Sequence, residues 1–256
     1  MIKNLKKILV GGFLLSLVSS CKDTTEESYP NWDYIKSQFS TCIGIGDSVT
    51  EGHIYDYPAT PAGGIIDHDY SYPAFLARLT GWEVENAGVS GIKTSEWWKN
   101  HFSNYDYSNY EIAIIEFGYN GPLTDSLETD VNPYSDYNDY SDTETGNYCR
   151  IIQGIKNQNP NIIIILSISS QMKENSGEAW SQCRTAIFNI AKKYSLPVID
   201  LADSSYIDLN DAMYHGKTNA ESGLNMIHFN VSGYNAKAEF IRHALETILK
   251  DAVDKR

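Results

Sequence analysis

The chain has 256 residues, with 33 acidic against 20 basic side chains and a formal charge of −13 at pH 7. That length supports one well-buried domain and not two comfortable ones. The negative charge argues against a nucleic-acid partner, because phosphate binding needs a basic surface. Three lysines, Lys3, Lys6 and Lys7, precede a short apolar stretch from Ile8 to Val18. That stretch is too short to span a bilayer and reads as a secretory signal, residues 1–20. It ends in small residues and Cys21, a pattern similar to the lipobox of bacterial lipoproteins, in which the cysteine is lipidated. This implies anchoring to the membrane through Cys21 alone, with an outer-membrane, surface-exposed location as the expectation. Residues 21–38 begin with the polar run KDTTEES and are expected to form a tether, leaving 39–256 as the domain.

Within that domain, apolar runs of strand type alternate with helix-type patterns. Strands are expected at Cys42–Ile45, Glu83–Asn86, Ile112–Phe117, Ile162–Ile168 and Val198–Leu201. Helices are expected near Tyr72–Leu79, Thr94–Phe102, Thr145–Asn157 and Glu178–Tyr194, with a last long one from about Ser232 to Val253. Such alternation implies a parallel sheet with helices on both faces. IIIILSI is a nearly continuous apolar run, as expected of a strand covered on both sides. The acidic, tyrosine-rich segment Leu123–Gly146 interrupts the rhythm and reads as a solvated surface insertion. Cys42, Cys149 and Cys183 are odd in number and lack metal-ligand spacing, so neither a disulfide framework nor a zinc site is signalled. Cys42 sits in a strand pattern and is expected to be buried, and Trp97 and Trp98 are expected to pack in the core.

The first strand runs directly into Gly46-Asp47-Ser48. Serine and aspartate are helix-start residues, so Ser48 reads locally as a cap. It also stands at the carboxyl end of a parallel strand, where ligands bind in open α/β sheets. A nucleophilic serine needs a base, oxyanion donors and a group that orients the base. Candidates stand at the other strand ends. Gly88 follows the second strand and can offer its N–H, while Asn120 follows the third and can donate its amide. His228 lies on the loop entering the last helix, where a general base can face the sheet edge. His53 and His68 fall in the loop after the first strand and can line a pocket entrance. His101 and His243 are expected on helices and His215 in a loop.

Gly-Asp-Ser, then Gly, then Gly-x-Asn, then a late His is an order that resembles the SGNH (GDSL-type) hydrolase family, from about Thr41 to Leu249. The resemblance implies a flavodoxin-like three-layer α/β/α sandwich and no metal or organic cofactor. It implies that Ser48 is the nucleophile and His228 the general base. Ser48 N–H, Gly88 N–H and the Asn120 amide are then the oxyanion hole. The family places Asp three residues before the histidine, but this chain has Asn225. An amide oxygen can fix the imidazole tautomer without offsetting the imidazolium charge, so the base is expected to be weaker. Glu221, Asp208 or Asp211 are possible substitute acids. The resulting expectation is a serine esterase that removes small acyl groups, acetyl above all, from carbohydrate. A glycan-binding module with a degenerate site and an acyltransferase remain open alternatives.

Overall fold

The computed structural model describes residues 32–172, 177–203 and 211–254. Cys21 and the signal segment lie outside the described residues, as does Asp208. Five strands form one parallel sheet: β1 (Thr41–Gly46), β4 (Glu83–Gly88), β5 (Ile112–Glu116), β6 (Ile163–Ile168) and β7 (Val198–Asp200). Their spatial order is β4-β1-β5-β6-β7. The pairing is in register from Thr41 opposite Glu83 to Gly46 opposite Gly88, and β1 pairs on its other side with β5. The order reverses at β1, and the crevice at such a reversal is where α/β sheets bind ligands.

Side chains along each strand alternate between two cores, because successive residues point to opposite faces. Ile43, Ile45, Ala113, Ile115, Ile164 and Leu166 enter one core. Residues of α4 (Thr94–Asn100), α5 (Glu144–Gln158) and α6 (Glu178–Tyr194) cover that face. Cys42, Ile112, Ile114, Ile165 and Ile199 enter the other core. There α1 (Trp32–Ser37), α3 (Tyr72–Thr80) and the long α7 (Val231–Val253) cover the sheet. Each buried isoleucine contributes about 1.5–3 kcal/mol of transfer free energy, so both faces of the sheet require their helices. The expected three-layer α/β/α sandwich is the observed fold.

Three sequence expectations need correction. The expected tether contains α1, in which Ile35 is fully buried and packs in the α3–α7 core, so the folded domain starts by Trp32. One buried residue in a six-residue helix is too little periodicity to see in the sequence. A two-stranded antiparallel hairpin, β2 (His53–Ile54) with β3 (Ile65–Ile66), was not expected at all. Its strands are too short to show alternation.

The third correction concerns the acidic segment 123–146, which is fastened to the domain rather than simply solvated. Leu123 and Tyr140 are buried, and the Tyr194 hydroxyl donates to Tyr140 Oη at 2.7 Å. Lys193 donates to the carbonyls of Glu128 and Val131. Cys42, Cys149 and Cys183 are buried free thiols, and burial pushes the Cys42 pKa up to about 12. Trp97 is fully buried, whereas Trp98 is only half-buried against Phe102 and Tyr137.

Candidate active site

β1 ends at Gly46, and the chain turns at once into the short helix α2 (Ser48–Glu51). Asp47, not Ser48, caps this helix: its Oδ1 accepts the Val49 N–H at 3.0 Å. Ser48 is therefore the first helical residue. Its side chain is free of the capping duty that its residue type suggests, and its N–H belongs to the unpaired first turn. The serine is 6 % exposed.

His228 reaches Ser48 from the opposite side of the sheet's carboxyl edge. Its Nε2 lies 2.9 Å from Ser48 Oγ, across 180 residues of sequence. The loop bearing it is built by side chains that cap its backbone. Asn225 Oδ1 accepts the N–H of Ile227 at 2.9 Å and of His228 at 2.6 Å. His215 is fully buried, and its Nδ1–H donates to the His228 carbonyl at 2.9 Å. Asn230 then caps α7 by accepting the Gly233 N–H at 2.9 Å.

This geometry corrects the role expected for Asn225. Its amide oxygen serves the backbone instead of the imidazole, because an Asx turn places it within reach of the two following N–H groups. His228 Nδ1 is buried with no partner among the described residues. Neither Glu221 nor Asp211 contacts the ring. Glu221 is exposed, and Asp211 Oδ1 accepts the Met213 N–H at 2.8 Å.

His53 and Tyr55 crowd the same ring from one side: their centroids lie 4.8 Å and 4.9 Å from it and 4.8 Å from each other. Burial first, then the neighbouring His53 and His215, lower the His228 pKa to about 4. The imidazole is accordingly neutral at pH 7, the state a general base requires. His68 is exposed at the rim, 3.9 Å from Glu51, while His101 ends α4 and His243 is an exposed residue of α7.

Asn120 arrives from the carboxyl end of β5. Its Nδ2 donates to Asp47 Oδ2 at 3.2 Å and to the Ile92 carbonyl at 3.3 Å. This places an amide donor beside the turn that carries Ser48. Burial raises the Asp47 pKa to about 7, with the Glu116 charge adding to it and the Val49 N–H and Lys237 opposing.

Gly88 takes a different part from the one expected. Its N–H donates to Asn86 Oδ1 at 3.0 Å, and a Cβ here would lie 2.2 Å from Glu51 N. It is a glycine because α2 lies directly against it. Three residues on, the turn residue Gly91 keeps its N–H free of any acceptor among the described residues. It is exposed and has φ +75°. The sequence signal is only a Gly-x-x-Gly stretch after the second strand, which does not distinguish Gly88 from Gly91. His215, which steadies the base's carbonyl, gives no sequence signal beyond its residue type.

A parallel sheet wound on both faces, with a serine and a histidine in contact at its carboxyl edge beside the strand-order reversal, defines a class of α/β hydrolase scaffold. Comparison places the chain within that class. The model of the GDSL-like lipase/acylhydrolase family matches residues 45–236, and the chain belongs to this family. It is a GDSL-type hydrolase by family. No curated protein sequence matches it.

Several solved structures share the fold. One is a family two carbohydrate esterase from Clostridium thermocellum in complex with cellohexaose. It is 14% identical with a TM-score of 0.59, over 82% of this chain and 64% of that one. Another is a possible lipase from Chitinophaga pinensis, 16% identical with a TM-score of 0.59, over 81% and 98% of the two chains. A third is a lipase/acylhydrolase from Enterococcus faecalis, 16% identical with a TM-score of 0.55, over 82% and 96%.

Proposed function

We propose that the protein is a serine esterase that removes small acyl groups, acetyl in particular, from carbohydrate. The observation that carries this reading is the 2.9 Å contact between Ser48 Oγ and His228 Nε2 at the sheet edge. In the first step Ser48 Oγ attacks the ester carbonyl as its proton passes to His228 Nε2. The carbonyl electron pair moves onto oxygen, where the N–H groups of Ser48 and Gly91 and the Asn120 amide receive it. The imidazolium then returns its proton to the departing sugar alcohol, leaving an acyl-enzyme that water hydrolyses by the same relay.

Two features support a sugar alcohol. Tyr119, the residue before Asn120, is stacked on Trp180 with centroids 4.8 Å and planes 4° apart, giving an aromatic flank beside the oxyanion donor. One neighbouring fold is that of a carbohydrate esterase holding cellohexaose. The test is an ester panel that includes acetylated glycans, with released acetate measured for the parent and for Ser48→Ala. Acetate release by the parent alone supports the esterase. Acetyl transfer to an added sugar acceptor in place of water would make it an acyltransferase. Glycan binding without turnover would make it a binding module, a reading favoured by a His228 Nδ1 that has no partner among the described residues.

The lipobox-like stretch ending at Cys21 further supports a lipid-anchored, surface-exposed protein. Cys21→Ser is expected to move the protein out of the membrane fraction; unchanged partitioning removes the anchor.

A further inference from the structure

Among the described residues, the imidazole of His228 is held on one face by Tyr55 and has no partner at Nδ1. Asn225 spends its oxygen on two backbone N–H groups. Tyr55 instead stacks on the ring at 4.9 Å with 27° between planes, and His53 lies 4.8 Å from both rings. This face is itself fixed. The Tyr55 N–H donates to the Phe229 carbonyl at 3.2 Å, and Tyr234 Oη–H donates to the His53 carbonyl at 2.8 Å. His53 Nε2–H donates to the Gly63 carbonyl at 3.3 Å. Gly64 lies against Tyr55, where a Cβ would come within 3.2 Å of both Cδ atoms. The hairpin β2–β3 thus carries a ring-sized clamp onto the loop that bears the base.

We propose that Tyr55 is the positioning residue of the general base: its ring face sets the imidazole plane against Ser48 and stabilises the imidazolium, in place of an acidic partner at Nδ1. The proposal rests on the reading of Ser48 and His228 as nucleophile and base. When the Ser48 proton moves to Nε2, the ring gains a positive charge in a half-buried site. An aromatic face attracts a cation through its quadrupole, most strongly where both are desolvated. The other groups that act on the ring work in the opposite direction, since burial, His53 from β2 and His215 from the loop before His228 each disfavour the imidazolium. A neutral ring whose Nδ1 finds no partner among the described residues has no lock on its tautomer there, so its orientation must come from packing.

The full chain is tested with a fluorophosphonate probe of Ser48 and with p-nitrophenyl acetate, each across a pH series. Tyr55→Phe, which keeps the ring, is expected to stay within about twofold of the parent. Tyr55→Leu is expected to lose about tenfold or more in kcat and in labelling rate, the size of a desolvated cation–π contact. KM should change little, and the acid limb should move to lower pH. Tyr55→Met provides a second non-aromatic variant if Tyr55→Leu does not fold. Adding Asn225→Asp to the non-aromatic variant should recover part of the loss. Parent-like labelling of the non-aromatic variants overturns the proposal, as does an equal loss in Tyr55→Phe. A hundredfold loss in Asp208→Asn also overturns it, because a carboxylate would then be doing the work. A parent chain that the probe does not label at Ser48 fails differently: it removes the hydrolase reading itself, and this proposal with it.

Discussion

Lys237 in the second turn of α7 donates to Glu116 at the end of β5 over 2.5 Å, with both side chains almost fully buried. The other carboxylate oxygen accepts the Ser167 hydroxyl, and the ammonium lies 4.7 Å from the centre of the Tyr72 ring. Glu116 stands four residues before Asn120 and Lys237 nine residues after His228. The pair therefore ties the strand that leads to Asn120 to the helix that follows His228.

Removing one partner of such a pair leaves a buried charge alone and costs about 3–5 kcal/mol. Lys237→Met is expected to lower Tm by roughly 10 °C for a domain of this size. Glu116→Gln combined with Lys237→Met leaves a neutral pair, keeps an acceptor for Ser167, and should recover most of that loss. Thermal unfolding of the single and double variants decides it. A double variant as unstable as the single one would show that the charges are not the reason.

Asp47 caps α2 while Ser48 does not, so the two residues separate stability from turnover. Ser48→Ala should abolish ester hydrolysis while lowering stability by less than the ~1 kcal/mol that a lost cap costs. Asp47→Ala should lower both, because it removes the cap of α2 and the acceptor of Asn120. Melting curves beside activity assays show whether the two effects divide in this way.

Asn120 donates to Asp47 and to the Ile92 carbonyl in the free protein, and in the proposed mechanism it serves a developing oxyanion as well. Asn120→Ala is expected to lower kcat about 10²–10³-fold, the usual cost of one oxyanion donor, and to change KM less. Normal kcat with raised KM would make it a ground-state binding residue.

The His228 pKa is lowered to about 4 from an ordinary 6.5. Between those values only the unfolded chain takes up the proton, so stability falls as the pH drops from 6.5 towards 4 and levels off below. The acid limb of kcat/KM should lie near pH 4, well below the ordinary histidine value. Asn225→Asp places a negative charge beside the imidazole and should raise both kcat and the pH of that limb. A pH–rate profile of the two proteins tests the sign; a limb that stays put would mean the carboxylate is spent entirely on the backbone N–H groups that Asn225 now caps.

Much of the fold was legible because two-sided burial leaves a simple trace. The runs Ile112–Phe117 and Ile162–Ile168 have no polar face, and α6 was placed at Glu178–Tyr194 by helical periodicity alone. The ends of β1 and β5 were legible too, and with them the positions of Ser48 and Asn120, whereas His228, on the loop entering α7, stands out only by its place in the motif order.

The sequence by itself could not say which hydrogen-bond partner each polar side chain takes. Asn225 is within sequence reach of both the imidazole and its own loop's N–H groups, and only the folded loop shows that the N–H groups win. Gly88 and Gly91 look alike in sequence, yet one lies beneath α2 and the other faces solvent. The contact of Tyr55 with His228 crosses more than 170 residues and follows no periodicity, so it exists only once the β2–β3 hairpin is laid against the His228 loop. Local pattern and burial determine where elements lie; partner choice at a site is a competition among groups that only tertiary packing brings within 3 Å of one another.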